Sequence, residues 1–236
     1  MLSWLWTSAK PLLTGASDVF FDTPKRKDRY VSSVCVAFQL GEASYALVAG
    51  SCASTAEEGF EGCADAFLPY DDDKSYLIGN AVDGVWDSST WGQDFAIIKL
   101  RDYVACQHWH VNRIPIIDVM SSVQLMEMGT TPTLAVAGFP IFELLDVSIV
   151  RNPDVDKGNR ALGASLRAGF RMILRRRAID YVPICGDPVT LVVEEDKHIL
   201  VGMIVSHLYK VHDTYIAQGL DWFLRSKWYA VLNQKS

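Results

Sequence analysis

Five cysteines in 236 residues are too few, and an odd number, for a secreted scaffold built on disulfides. Sixteen glycines and nine prolines, with no Gly/Ser-rich tract, exclude collagen-like and low-complexity chains and mark no linker. No run of roughly 18 nearly uncharged apolar residues occurs, so no transmembrane helix is expected. Charge is not in surplus either: 22 basic against 28 acidic residues give −6, and half of the chain is hydrophobic, which excludes disorder. No Gly-rich phosphate loop, zinc-ligand pattern or internal repeat is present, so neither a cofactor nor a metal is expected. What remains is a globular chain with ample core material, long enough for one large domain or two small ones.

The segment Met1 to Ala9 is apolar, but it has no basic start and Lys10-Pro11 interrupts it. It therefore reads as an N-terminal arm, residues 1–29, rather than a secretory signal. Trp4, Leu5 and Trp6 are its candidate protein-binding residues, because Trp is enriched in binding hot spots; the alternative is that they pack onto the chain's own domain.

From Tyr30 onward, short β-branched and apolar runs alternate with turn residues. Val31–Phe38 and Tyr45–Ala49 predict a hairpin, with Gln39 to Ser44 as its connection. Further strands are predicted at Ser75–Gly79, Phe95–Leu100, Thr133–Ala137, Val189–Val193 and Ile199–Val205. Helical periodicity is clearest at the end, through Leu220, Phe223, Leu224, Trp228 and Val231. The pattern predicts an all-β sandwich or barrel closed by a C-terminal helix.

Arg167, Arg171, Arg175, Arg176 and Arg177 place five arginines within eleven residues. Clustered Arg is a candidate anion or nucleic-acid surface, but on a net acidic chain the favoured reading is a solvated strand or helix face. Tyr70-Asp71-Asp72-Asp73-Lys74 reads as an exposed acidic loop, because adjacent carboxylates lack the alternating spacing of a calcium loop. His108 and His110 flank Trp109 without the further ligands a zinc site needs.

Three segments together resemble the trypsin-like, chymotrypsin-fold serine proteases. Cys35-Val36-Ala37-Phe38 followed by Leu47-Val48-Ala49-Gly50-Ser51-Cys52 is similar to the Cys strand and L-T-A-A-H-C motif of that family. Gln93-Asp94-Phe95-Ala96-Ile97-Ile98-Lys99-Leu100 is similar to its D-I-A-L-L-K-L, and Cys185-Gly186-Asp187-Pro188-Val189-Thr190-Leu191-Val192 to its C-x-G-D-S-G-G-P-L-V. The intervals, 43 positions from Ser51 to Asp94 and 94 from Asp94 to Pro188, also resemble the family's own. The likeness runs from about residue 30 to 228. It implies a double six-stranded β-barrel of chymotrypsin type, spanning 30–236, with barrels at approximately 30–120 and 121–217 and a C-terminal helix at 219–232.

The departures fall on the catalytic positions. The resemblance places Ser51 where the family has its His base and Pro188 where it has its Ser nucleophile, leaving Asp94 as the only triad residue in place. A serine hydroxyl does not act as a base near neutral pH, and proline has neither a hydroxyl nor a backbone N–H for an oxyanion. No catalytic residue is therefore assigned. The resemblance also puts Cys35 and Cys52 at the positions of a family disulfide, whose oxidation would depend on compartment, while Cys185 matches a half-cystine whose partner is missing. Cys63 and Cys106 have no assigned counterpart.

The expected function is that of a non-catalytic protease homologue, intracellular in preference to secreted, serving as a protein-binding scaffold or subunit of a larger complex. One alternative is a diverged hydrolase with Thr190, Cys185 or Ser51 as nucleophile and His198 or His207 as base. A second is nucleic-acid binding through the Arg167–Arg177 patch.

Overall fold

A computed structural model describes residues 13–22, 30–54, 64–71, 74–86, 93–101, 114–128, 133–137, 139–150, 169–176, 182–194, 197–207 and 213–233. The first strand, β1 (Leu13–Asp22), lies antiparallel to β2 (Tyr30–Leu40), which turns tightly into β3 (Ala43–Val48). Ladder pairing continues to Leu40↔Ala43, so only Gly41 and Glu42 form the turn; Gly41 has φ +62°, a conformation that favours glycine. This is a shorter connection than the six residues expected, because pairing extends each strand into it.

β3 pairs with β6 (Asp94–Leu100), β6 with β5 (Lys74–Trp86), β5 with β4 (Asp65–Asp71), and β4 returns to β1 through Phe20↔Phe67 and Phe21↔Ala66. Six strands in the order 1-2-3-6-5-4 thus close a barrel. In the second half the strands are β8 (Thr133–Val136), β9 (Phe139–Val150), β10 (Gly169–Arg176), β11 (Pro188–Glu194), β12 (Lys197–His207) and β13 (Thr214–Gly219). They pair 8-9-10-13-12-11 and close between β11 and β8. The two barrels have the same connectivity, the first three strands running in sequence and the last three in reverse. That repeated closure is the double six-stranded barrel the resemblance implies, and it leaves neither set of strands with an open edge.

β7 (Ile114–Val119) joins the halves, parallel to β12 and antiparallel to β1. Among the described residues there are also short helices: α1 (Gly50–Ala53), α2 (Ser122–Glu127), α3 (Asp221–Arg225) and α4 (Lys227–Asn233). The expected single C-terminal helix is broken at Ser226, whose backbone is extended and whose hydroxyl donates to the Phe223 carbonyl at 2.7 Å. A second difference lies at the N-terminus. The expected arm 1–29 contains β1, a wall strand of the first barrel that buries Val19 and Phe21, so the domain begins before residue 30.

Burial follows the sequence pattern. β6 is buried at every position except Lys99, because it lies inside the barrel wall and under the second half of the chain, which is why Asp94-Phe95-Ala96-Ile97-Ile98 reads as a nearly unbroken apolar run. One apolar cluster unites barrel 1 (Val36, Leu47, Phe95, Ile97) with Leu200, Met203, Val205 and Ile216 of barrel 2 and with Leu220 and Phe223. A second, including Leu134, Met172, Leu174, Val189 and Val201, fills barrel 2. Among the described residues no helix is long and apolar enough to cross a membrane.

Candidate functional site

The seam between the barrels is where Ser51, Asp94 and Pro188, the three positions singled out by the resemblance, fall. α1 begins immediately after β3 and presents Ser51 to the start of β6. Both oxygens of the Asp94 carboxylate are occupied by Ser51: its backbone N–H donates to Oδ1 at 2.5 Å and its hydroxyl to Oδ2 at 2.8 Å. Asp94 is fully buried, and that burial pushes its pKa up to about 6 in spite of hydrogen bonds from Ser51 and the Gly50 amide. Its backbone is fixed from the other barrel: Asp94 N donates to Gln218 Oε1 at 2.6 Å, and Gln218 Nε2 donates back to the Asp94 carbonyl at 2.5 Å. Ser51 and Asp94 are therefore in direct contact, and the Ser51 hydroxyl donates its hydrogen bond to the carboxylate.

The other wall of the seam is the turn from Ile184 to Pro188. Gly186 has φ +93°, and a Cβ there would collide with the Ser33 carbonyl oxygen and Ser32 Oγ, so the position requires glycine. Its amide donates to the Ile204 carbonyl at 2.8 Å, and the Asp187 amide donates to the Ile184 carbonyl at 3.2 Å. Pro188 supplies no amide at all and enters β11 buried. Asp187 is buried, with Oδ2 accepting from the Ile184 amide at 2.9 Å. The turn is docked onto barrel 1 through the Cys185 carbonyl, which accepts from the Ser33 amide at 2.8 Å and from Ser32 Oγ at 3.2 Å. Ser32 Oγ in turn accepts from the Ala49 amide at 3.2 Å, just before α1.

The cysteines depart from the expected pairing. Cys35, Cys52 and Cys185 are all free thiols. Cys35 directs its sulfur at the Gly202 carbonyl at 3.8 Å, while Cys52 lies 3.3 Å from the Val31 carbonyl and shares a side-chain hydrogen bond with Cys185. The possible Cys35–Cys52 bridge is absent from this structure, in which the two sulfurs contact different carbonyls, Gly202 and Val31. Cys185, expected to have lost its partner, has Cys52 beside it. The hydrogen bond from Cys52 draws the Cys185 thiol below its ordinary pKa, against burial and the nearby carboxylates of Asp94 and Asp187. The same bond, and then burial, push Cys52 well up. Burial chiefly, with Asp187, also raises Cys35 far above the ordinary thiol range.

Thr190 and His198 also meet, Oγ1 to Nδ1 at 2.9 Å, but both are buried as cross-strand neighbours on β11 and β12. Of the arginine patch, Arg171 and Arg175 fall at alternating positions of β10 and Arg175 is exposed. Arg176 ends that strand, and Arg167 and Arg177 lie outside the described residues. Trp4, Leu5, Trp6, Cys63, Cys106, His108 and His110 lie outside them too. His207 is the last residue of β12. Among the described residues no group of three His, Cys, Asp or Glu side chains is placed to hold a metal. The Cys52–Cys185 contact was missed at the level of sequence, although the signal was there: one cysteine follows the degenerate base position and the other precedes the degenerate nucleophile position by three residues.

No protein-family model and no curated protein matches the chain. Solved structures do resemble it. An alpha-lytic protease homologue, N4, is 16% identical over 90% of this chain and 95% of its own, with a TM-score of 0.49. Protease A of Thermobifida fusca is 11% identical over 89% and 93%, with a TM-score of 0.48. A scabies mite inactivated protease paralogue is 13% identical over 94% and 95%, with a TM-score of 0.47. At such identities these are likenesses of fold.

Proposed function

We propose that the chain is a non-catalytic protein on a chymotrypsin-type double barrel, acting as a protein-binding scaffold or subunit of a larger complex. One observation carries the loss of catalysis: the turn that would have to supply a nucleophile and an anion-binding pair of amides supplies neither. Pro188 has no hydroxyl and no N–H, and the Gly186 and Asp187 amides are both consumed by carbonyls of the chain itself. Preorganised donors aimed at the developing oxyanion are worth several kcal/mol of barrier, about 3–4 for a single side-chain donor. Ser51 adds a second defect, since its hydroxyl is a donor to Asp94 rather than an acceptor of protons. The two closed barrels with filled cores support a role that uses the fold and not the chemistry. Free thiols at Cys35, Cys52 and Cys185 favour a reducing, intracellular setting.

A labelled fluorophosphonate tests the catalytic part. The expected result is no labelling above that of denatured protein; stoichiometric labelling of one residue, lost on denaturation, would sink the reading. Affinity purification from cell extract tests the binding part, comparing the full chain with a chain lacking residues 1–10, a deletion that spares β1 at Leu13. Co-purifying protein that depends on the Trp4–Trp6 arm is expected, and a lone monomer in both cases contradicts it.

A second reading is favoured by one contact, the Thr190–His198 hydrogen bond, which is the geometry of a hydroxyl beside a base. Labelling of Thr190, abolished by His198→Gln, is its requirement. Complete burial of Thr190 weighs against it, because a substrate carbonyl has no approach to the oxygen.

A further inference from the structure

Cys52 and Cys185 belong to different barrels, yet both residues meet one short stretch of β2, Cys52 through its sulfur and Cys185 through its backbone carbonyl. Cys52 Sγ lies 3.3 Å from the carbonyl of Val31, and the Cys185 carbonyl is held by Ser32 and Ser33, the next two residues. Cys185 Sγ lies 3.1 Å from the Val205 carbonyl on β12, and its side chain is the hydrogen-bond partner of Cys52. The backbone on both sides is fixed: α1, which carries Cys52, is tied through Ala49 N to Ser32 Oγ, and the same hydroxyl contacts the Cys185 carbonyl. Cys185 is partly exposed whereas Cys52 is buried.

We propose that Cys52 and Cys185 are a redox-reactive dithiol, a modification site for low-molecular-weight disulfides of the glutathione class, at which oxidation covalently joins the two barrels. The partly exposed Cys185 attacks as thiolate on one sulfur of glutathione disulfide. Its sulfur bonds to that glutathione, and the other glutathione leaves as thiolate and takes up a proton. Cys52, losing its proton, then attacks the Cys185 sulfur of the mixed disulfide and expels the second glutathione. Two cysteine thiols are oxidised, one glutathione disulfide is reduced to two thiols, and both protons end on glutathione. The division of labour follows from access and acidity: the thiol that reaches solvent, and whose thiolate its neighbour stabilises, attacks, while the buried one resolves. Cys35, buried beneath the seam with its sulfur on the Gly202 carbonyl, takes no part. The inference is independent of partner binding and of catalysis.

The test is incubation of the folded full-length protein with glutathione disulfide, followed by alkylation under native conditions and peptide mapping. A Cys52–Cys185 linked peptide is expected, with a chain mass lower by two hydrogens, a raised thermal midpoint, and complete reversal by dithiothreitol. Cys52→Ser is expected to stop at the first step and retain one glutathione on Cys185. Cys185→Ser is expected to leave Cys52 reduced, and Cys35→Ser to leave the linked peptide unchanged. Circular dichroism checks that each variant is folded. Should Cys52→Ser not fold, the Cys185→Ser and Cys35→Ser pair still decides. A stable mixed disulfide on the unsubstituted chain, a link from either cysteine to Cys35, or formation of the bond only in denaturant would each overturn the proposal.

Discussion

The two walls of the seam use their polar groups in opposite ways. On the barrel 1 wall the carboxylate of Asp94 has its partners in place: Ser51 on its two oxygens, with Gln218 on the backbone N–H and carbonyl of the same residue. On the barrel 2 wall the turn has glycine at positive φ, Pro188 carries no N–H, and the Gly186 and Asp187 amides are bonded to carbonyls of the chain itself. The contrast teaches what each feature is for. A carboxylate that seats a helix and links two barrels earns its place without any chemistry, whereas an unspent amide or an exposed hydroxyl at the turn contributes nothing to folding and is absent.

The comparison makes the turn the most fragile point. Gly186→Ala puts a Cβ against the Ser33 carbonyl and Ser32 Oγ at a φ of +93°, and the backbone on both sides is held by hydrogen bonds. A loss of about 5 kcal/mol is expected, at the upper end for a single substitution, read as a lower urea midpoint or as failure to fold. Near-neutral behaviour would show that the turn yields and that its shape is not fixed by the contact with β2. Next comes the tie across the seam. Gln218→Met keeps the volume of a fully buried side chain but leaves Asp94 N and O without their partners, a cost of about 4 kcal/mol if both stay dry. Equilibrium unfolding checks it, and separate transitions for the two barrels would sharpen the assignment of Gln218 as their link.

Which of these features the sequence carries depends on how many faces of an element are buried. β6 was legible because its wall position forces a continuous apolar run, whereas the hydrogen bonds from Ser51 to Asp94 were not, because motif spacing says nothing of what a serine does there. β1 was not: Leu13-Thr14-Gly15-Ala16-Ser17-Asp18 has no alternation, and its pairing with β2 slips twice, between Leu13 and Gly15 and between Gly15 and Asp18. Irregular register erases the period that identifies a strand. β10 was read only as a charged face, because its arginines obscure the buried Met172 and Leu174 on the opposite side. The thiol pair was hidden for a different reason. Motif resemblance assigns partners by inheritance, linking Cys35 to Cys52, whereas the contact that forms depends on which side chains face the seam once both barrels are closed.

Asp94 also predicts how stability varies with pH. Its folded value of about 6 lies above the ordinary 3.8, so the folded chain holds the proton more tightly than the unfolded one. The stability it contributes is complete below pH 3.8 and is lost as pH rises to about 6, a swing of about 3 kcal/mol. Asp94→Asn removes that dependence while keeping an acceptor for Ser51. Unfolding free energies from urea titrations at pH 4 and pH 7 are expected to differ less in the variant than in the parent, by about 2 kcal/mol. An unchanged pH profile would mean that Asp94 ionises without cost, and the contrast between the walls would lose its electrostatic half.

Asp83 supplies the opposite sign on the same barrel. It stands on β5 at the surface, where burial tends to raise its pKa but Lys227 at 2.9 Å and the Trp228 indole at 2.8 Å together hold it below the ordinary value. Its contribution is therefore present above the unfolded value near 3.8 and is lost as pH falls, the reverse of Asp94. The pair is half-exposed and screened, so Asp83→Asn is expected to cost about 0.5 kcal/mol at pH 7 and less at high salt. The residual cost would come from Trp228, whose ring packs on Tyr45 at 4.9 Å and whose indole N–H keeps an acceptor in the amide oxygen. If the substitution instead cost as much as Gln218→Met, the C-terminal helix would be anchored through charge rather than through Trp228 and the buried Phe223. The seam would then not be the place where the two halves of the molecule are chiefly joined.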